Sequence, residues 1–229
     1  MRKILLTIAA MISLNLMAWT VPVKYNDIWY ELEYWSSSEY WATVMPSYGY
    51  WEEQKGTYNG DIVLAETINK YPYDFPVTSV GFYAFYEAEI TSIELPSKLE
   101  DIRYHAFYGC SQLSYIVCHR KGYSAYAGNY VPSFWKWNSE TAKNETIPAS
   151  DVFTGVDPSI PVYVPDEVVD TYKNSPWGDF FTNILPLSTR PQAIENTTVE
   201  VKVDKRIVNG QILILRGEKR YTLQGQEVK

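Results

Sequence analysis

Two stretches of the chain repeat one pattern of apolar and polar positions. Residues 80–95 run Val-Gly-Phe-Tyr-Ala-Phe-Tyr-Glu-Ala-Glu-Ile-Thr-Ser-Ile-Glu-Leu, and residues 102–118 run Ile-Arg-Tyr-His-Ala-Phe-Tyr-Gly-Cys-Ser-Gln-Leu-Ser-Tyr-Ile-Val-Cys. Val80 and Ala84-Phe85-Tyr86 match Ile102 and Ala106-Phe107-Tyr108 at a shift of 22. Ile90 and Ile93 match Leu113 and Ile116 at a shift of 23, so one residue is inserted near Cys110. A fixed period of this length is the mark of stacked coils. Ile93-Glu94-Leu95 and Ile116-Val117-Cys118 can each turn alternate residues to one side of a strand. Pro96 ends the first by withholding a donor. Ala followed by Phe suits a tight bend, the small residue letting the chain turn and the ring filling the interior. One coil cannot bury its own apolar edge, so the pattern predicts a parallel ladder over a continuous core.

A third coil is expected to end at Val162-Tyr163-Val164-Pro165, with Val152-Phe153 in the Ala-Phe position, 46 residues or two periods after Ala106-Phe107. Residues 119–150 contain Gly122, Gly128, Pro132 and Pro148 without a repeat motif, and read as an insertion rather than a worn repeat. Residues 25–68 carry strand-like Tyr30–Tyr34 and Asp61–Leu64 around a turn at Asn59-Gly60, which predicts an N-terminal β cap. Residues 166–187 predict a helical cap. Asp166 is placed as an N-cap, Val168, Val169 and Tyr172 share a face, and Pro176 stops the helix. Trp177, Phe180, Phe181 and Ile184 form a second helical stripe. Such ends need covering, because an open ladder edge invites aggregation. Residues 188–197 have linker composition, and 198–229 predict a small β module. In it Thr198–Val203 alternates, Ile207–Leu215 forms a second strand around Asn209-Gly210, and Arg220–Leu223 and Gln226–Val228 complete the element.

The first eighteen residues change the picture from fold to destination. Met1-Arg2-Lys3 is a positive start, Ile4–Met17 is almost wholly apolar, and Ala18 is a small residue that can end the run. The stretch is too short for a stable membrane span and reads as a signal peptide, with no transmembrane span expected in the mature chain. No Cys lies near Ala18, so a lipid anchor is not expected there. Without residues 1–18 the chain carries 18 Lys+Arg against 27 Asp+Glu, a net −9. Residues 200–229 hold seven basic and four acidic groups, leaving 19–199 with eleven against 23, or −12. An acidic body argues against nucleic acid as a partner, since binding a phosphate backbone needs clustered Lys or Arg.

Several segments together resemble the BspA-like leucine-rich-repeat family: Tyr58-Asn59-Gly60-Asp61-Ile62, Pro76–Gly81, Ala84-Phe85, Ile93-Glu94-Leu95-Pro96, Ala106–Leu113, Val162–Pro165, and the trailing Tyr172, Trp177, Phe180 and Ile184. The resemblance covers about residues 25–187, within a domain set at 19–187. It implies a β-rich α+β fold: a short leucine-rich-repeat-type parallel β-solenoid with an N-terminal β cap, a C-terminal helical cap and a small C-terminal β module. It also implies a secreted or cell-surface protein, with adhesion or host-factor binding as in some members. The tail from Ile207 to Val228 is similar to a shortened secretion-system sorting domain, which implies passage through an outer membrane.

Candidate chemistry is sparse. Cys110 and Cys118 lie eight residues apart; export permits a disulfide, while the resemblance places both at small buried positions as free thiols. His105 and His119 have no Cys, Asp or Glu at ligand spacing, so no metal site is expected. No phosphate loop, nucleophile elbow or His-Glu-x-x-His helix occurs, and no catalytic residue or cofactor is expected. The aromatics are the binding candidates. Five Trp and six Tyr fall between Trp19 and Trp51, and the segment 119–150 adds Tyr123, Tyr126, Tyr130, Phe134, Trp135 and Trp137. Adjacent Tyr34 and Trp35 point to opposite faces of a strand, so exposed aromatics are expected, and an exposed aromatic patch marks a partner or sugar site. Tyr123, Tyr126, Tyr130, Trp135 and Trp137 are the ligand-binding candidates. The reading is a non-catalytic binding or adhesion module for an extracellular or host protein. The alternative is a carbohydrate-binding module using exposed Trp and Tyr, and a hydrolase has no motif behind it.

Overall fold

A computed structural model describes residues 19–47, 53–121 and 131–191, together with the strand backbone at 123–124, 128–129, 204–208, 211–216, 219–222 and 227–228. The expected signal peptide lies outside these residues. The chain forms two units, Met1–Arg190 and Pro191–Lys229. The strands of the first, in chain order, are β1 (Trp19–Tyr25), β2 (Ile28–Ser36), β3 (Glu39–Val44), β4 (Asn59–Val63), β5 (Thr67–Lys70), β6 (Tyr73–Val80), β7 (Glu89–Leu95), β8 (Asp101–Arg103), β9 (Tyr115–Cys118), β10 (Tyr123–Ser124), β11 (Gly128–Asn129), β12 (Ser133–Asn138), β13 (Lys143–Thr146), β14 (Val162–Val164) and β15 (Ile184–Pro186). Three five-residue helices join them: α1 (Ala149–Phe153), α2 (Val169–Lys173) and α3 (Pro176–Phe180).

Two parallel ladders carry the repeat. In the first, Val44, Val80, Ile102 and Phe134 are successive partners across β3, β6, β8 and β12. In the second, Ile62, Ile93, Ile116, Val162 and Ile184 are successive partners across β4, β7, β9, β14 and β15. All nine side chains are buried, and each contributes about 1.5–3 kcal/mol of transfer free energy. The second ladder forms an entirely parallel five-stranded sheet. The first lies in a mixed eight-stranded sheet, where β1–β2, β2–β3, β12–β13 and β5–β6 are antiparallel. The short parallel solenoid expected is therefore found in part: one sheet is parallel throughout, and in the other parallel pairing is limited to β3, β6, β8 and β12.

Between the ladders the chain makes the Ala-Phe bend. The Phe85, Phe107 and Phe153 rings stack, with centroids 5.1 and 5.3 Å apart and planes 7° and 8° from parallel. Tyr58 joins at one end, 5.3 Å from Phe85, and Trp177 and Phe181 at the other, 5.7 and 4.9 Å from Phe153. Each bend is hydrogen-bonded to the next: Gly56 N–H to Tyr86 O (2.7 Å), Phe85 N–H to Ala106 O (2.8 Å), Phe107 N–H to Val152 O (3.1 Å) and Gly109 N–H to Thr154 O (2.7 Å). Glu87, Gly109 and Gly155, at matching places, have φ of 50°, 74° and 86°. A Cβ on Gly109 would fall 2.7 Å from the Glu87 side chain, and one on Gly155 3.2 Å from the Gly109 backbone. At Gly109 and Gly155 the positive φ and these close approaches both favour glycine.

Several expectations need correction. The segment 119–150 is not simply inserted, because β12 supplies a rung of the first ladder; Phe134 stands 32 residues after Ile102, which hides it from a 22-residue period. Asn59 and Gly60 form no hairpin turn but lie in β4, paired with Glu89 and Ile90, with a register shift after Gly60. Asp166 caps no helix; its carboxylate accepts from Ser188 N–H (3.0 Å), and this Ser188 contact holds it below the usual carboxylate range. The second helical stripe stops at Phe180, because Ile184 pairs with Val162 as a strand. Pro176 opens that helix, with the Ser175 hydroxyl accepting from Trp177 N–H (3.3 Å).

In the second unit, β16 (Asp204–Val208), β17 (Gln211–Arg216), β18 (Lys219–Thr222) and β19 (Glu227–Val228) form an antiparallel meander. The single strand expected over Ile207–Leu215 is two, with Val208 opposite Gln211. The expected strand Thr198–Val203 lies outside the described residues.

Where the first unit ends, the chain returns across the parallel sheet. Arg190 hydrogen-bonds Glu94, and its guanidinium lies 5.3 Å from the centre of the Tyr115 ring. His119 Nε2 stands 3.5 Å from the other Glu94 oxygen. Burial raises the Glu94 pKa, but Arg190 and His119 outweigh it, and the net shift is downward. A depressed carboxyl stabilises the fold above its unfolded pKa and loses that stabilisation as pH falls through the folded value. Glu94→Gln is expected to lower the thermal midpoint near neutral pH, with the gap to the parent closing in acid; circular dichroism melts across pH measure it. Phe107→Ala, which opens the ring stack, is expected to cost about 3–5 kcal/mol in denaturant unfolding.

Candidate binding surfaces

Residues of the mixed sheet that alternate with the ladder form its outer face. Across it, Thr43, Ser79, Asp101 and Ser133 are successive register partners. Thr43 and Ser79 are buried polar residues, and each finds a carboxylate: Thr43 donates to Glu33 (2.8 Å) and Ser79 to Asp101 (2.7 Å). Burial raises the Asp101 carboxyl from its ordinary value, against the opposing pull of Arg103, Ser79 and Trp135. Arg103 Nε lies 3.4 Å from Asp101. Its guanidinium is held by two rings, 4.8 Å from the Trp135 centroid and 5.6 Å from that of Phe82.

A groove of about 650 Å³ opens on this face, lined by Trp35, Tyr40, Trp41, Ser79, Asp101 and Arg103 among others. Trp35 and Trp41 lie 16° from parallel with centroids 6.4 Å apart, and Trp35 is 58% exposed. Its volume is in the range of small-ligand sites. A smaller cleft of about 410 Å³ lies beside Lys24, Asp27, Tyr58 and Asp61. There Ser92 and Thr91 donate to Asp61 at 2.6 and 2.7 Å and hold its carboxyl below the usual range.

A second aromatic assembly covers the Ala-Phe bends. Tyr86 and Tyr108, matched in the repeat, stack at 5.0 Å and 8°. The His105 ring lies 3.6 Å from Tyr104 at 19°, with Tyr83, Tyr86 and Tyr108 around it at 4.6–6.1 Å. All five residues are half-buried. Tyr86 OH donates to Glu53 (3.0 Å). Burial lowers the His105 pKa, against Glu53 and Asp151, so the ring packs as a neutral plate. Tyr83 and His105 both take positive φ, 56° and 57°, which turns these paired side chains onto one surface.

Of the residues expected to bind ligand, Tyr126 and Tyr130 lie outside the described residues, and for Tyr123 only the strand backbone is described, opposite Asn129. Trp135 and Trp137 lie on the outer side of β12, flanking buried Phe134. Trp135 is half-buried beside Arg103, whereas Trp137 is 54% exposed. Trp35, Trp41, Asp101 and Arg103 were not among the expected site residues, nor was the Tyr86–Tyr108 pair. The repeat itself marks Tyr86 and Tyr108, because equivalent positions of stacked coils must be neighbours. Among the described residues no group of three or more His, Cys, Asp or Glu could hold a metal ion, and no helix is long and apolar enough to cross a membrane.

Residues 67–131 match the family described as BspA type Leucine rich repeat region (6 copies). The matched stretch contains both Ala-Phe coils. No curated protein matches the chain. A solved structure, a leucine rich cell surface protein from Faecalibacterium prausnitzii A2-165, aligns with a TM-score of 0.32 at 13% identity, over 90% of this chain and 60% of that one.

Both cysteines are free and buried. Cys110 Sγ donates to Phe85 O (2.9 Å), and Cys118 Sγ lies 3.1 Å from the Tyr172 hydroxyl. Burial pushes Cys110 up to about 12 and Cys118 to about 11, which suppresses the nucleophilic thiolate. Iodoacetamide at mildly alkaline pH is expected to leave both unmodified in the folded protein and to label two thiols after unfolding without reductant, read by intact mass.

Proposed function

We propose that this protein is an exported, non-catalytic adhesion module of the leucine-rich-repeat surface type, secreted or held at the bacterial surface, that binds an extracellular or host protein. In this reading the short parallel stack is a scaffold, closed by the β1–β2 hairpin on one side and by α2 and α3 on the other. The C-terminal β unit serves the outer-membrane sorting role of the modules it resembles.

The observation that carries the proposal is the aromatic surface on the coil bends. Tyr83, Tyr86, Tyr104, His105 and Tyr108 are contiguous and half-buried, and their rings hold one another in place. Tyrosines fixed in this way lose little side-chain entropy on binding, and Tyr is enriched at binding hot spots. Glu53, Glu87 and Asp151 edge the surface, consistent with the −12 body charge and with a partner that presents basic side chains.

The test is surface plasmon resonance of the full mature chain over a panel of purified extracellular-matrix proteins. Binding to at least one is expected, weakening as salt screens the acidic edge. Replacing Tyr86 and Tyr108 together by Ala is expected to weaken it by roughly thirtyfold or more. Unchanged binding by that double variant, with loss on Trp137→Ala instead, would move the site to the 123–137 segment.

A further inference from the structure

The groove on the outer face of the mixed sheet has a different chemistry from the tyrosine surface. Its side wall is an indole platform: Trp35 is more than half exposed, with Trp41 near-parallel beside it. Its floor is a preset polar array. Ser79 and Asp101 are joined by a 2.7 Å hydrogen bond, and Arg103 is clamped over the rings of Trp135 and Phe82. The Arg103 side chain is only 15% exposed, yet among the described residues its one hydrogen bond is made by Nε, to Asp101. The residue lines the groove. The bond to Asp101 and the two rings fix its guanidinium at the groove wall.

We infer that this groove is a binding site for a neutral saccharide. A sugar ring offers an apolar face of C–H groups and an edge of hydroxyls. The first matches the open face of Trp35, because C–H groups are drawn to the negative face of a π system. The second needs donors and acceptors set close together, which Arg103 and Asp101 supply, with Ser79 beneath holding the Asp101 carboxylate in place. Charge selects against acidic sugars, since among the described residues Glu39, Glu100 and Asp101 line the groove against one cation, Arg103. The volume of about 650 Å³ accommodates a short oligosaccharide rather than a protein segment of interface size.

The inference is independent of the tyrosine surface and is tested apart from it. The full mature chain is titrated with cellotetraose, chitotriose, mannotriose and lactose, and with sialyllactose and a heparin tetrasaccharide as acidic counterparts, following Trp fluorescence and heat. At least one neutral probe is expected to bind with an affinity insensitive to salt, and Trp35→Ala is expected to weaken it by roughly tenfold or more. The exposure of Trp35 makes the variant fold-neutral, which its melting curve checks. The Tyr86/Tyr108 double variant should bind the sugar like the parent. No binding by any neutral probe at millimolar concentration overturns the inference. So does binding restricted to the acidic probes with steep salt dependence, or neutral binding that survives Trp35→Ala. Matrix-protein binding without sugar binding would leave the adhesion proposal standing and this one refuted.

Discussion

The first unit rests on the stacking of Phe85, Phe107 and Phe153. Coils of unequal length are brought into phase at these rings, and the two ladders diverge from them. A backbone hydrogen bond every two residues ties each bend to the next, so the rings cannot slide relative to one another without breaking the Phe85–Ala106 or Phe107–Val152 link. The aromatic stack then sets the distance between neighbouring strands, and the isoleucine and valine rungs follow. The buried tryptophan continues the same column: Trp177 packs on Phe153 and donates to Pro132 O (2.9 Å), which fixes the chain where β12 begins. Its position explains how a coil with a long excursion still delivers Phe134 to the ladder.

Much of this was legible. The pairing of Val80 with Ile102, of Ile93 with Ile116, and the place of Phe153 follow from apolar period alone, because a stacked coil reads out equivalent positions as neighbours. What escaped did so for physical reasons. Asn59-Gly60 has turn chemistry, but the positive φ of Gly60 serves a register shift within a strand. Ile184 continues a helical spacing, yet an unpaired edge beside Val162 is the stronger attractor. Phe134 is invisible to a fixed period because its coil is longer. The candidate surfaces were harder still. Trp35, Trp41, Asp101 and Arg103 come from β2, β3 and β8, and no local spacing announces that the mixed sheet will place them on one groove. Tyr86 and Tyr108 were within reach, because the same repeat that locates the core locates what lies on its rim.

The polar row from Thr43 to Asp101 shows how the outer face can be both buried and hydrophilic. Each buried hydroxyl donates to a carboxylate, Thr43 to Glu33 and Ser79 to Asp101, so neither is left without a partner. That leaves the indoles above it free to face outward without collapsing onto the sheet. The tyrosine surface is organised on the opposite principle, with rings supporting rings and hydroxyls at the periphery. One scaffold thus carries two chemically distinct faces.

The long coil has a further meaning. Five residues separate β7 from β8, whereas fourteen separate β9 from β12, and the rungs on either side remain in register. The ladder therefore constrains where a coil begins and ends but not its contour length. Adding or removing residues between Cys118 and Ser133 is therefore a change of contour that the register of Ile102 with Phe134 does not oppose.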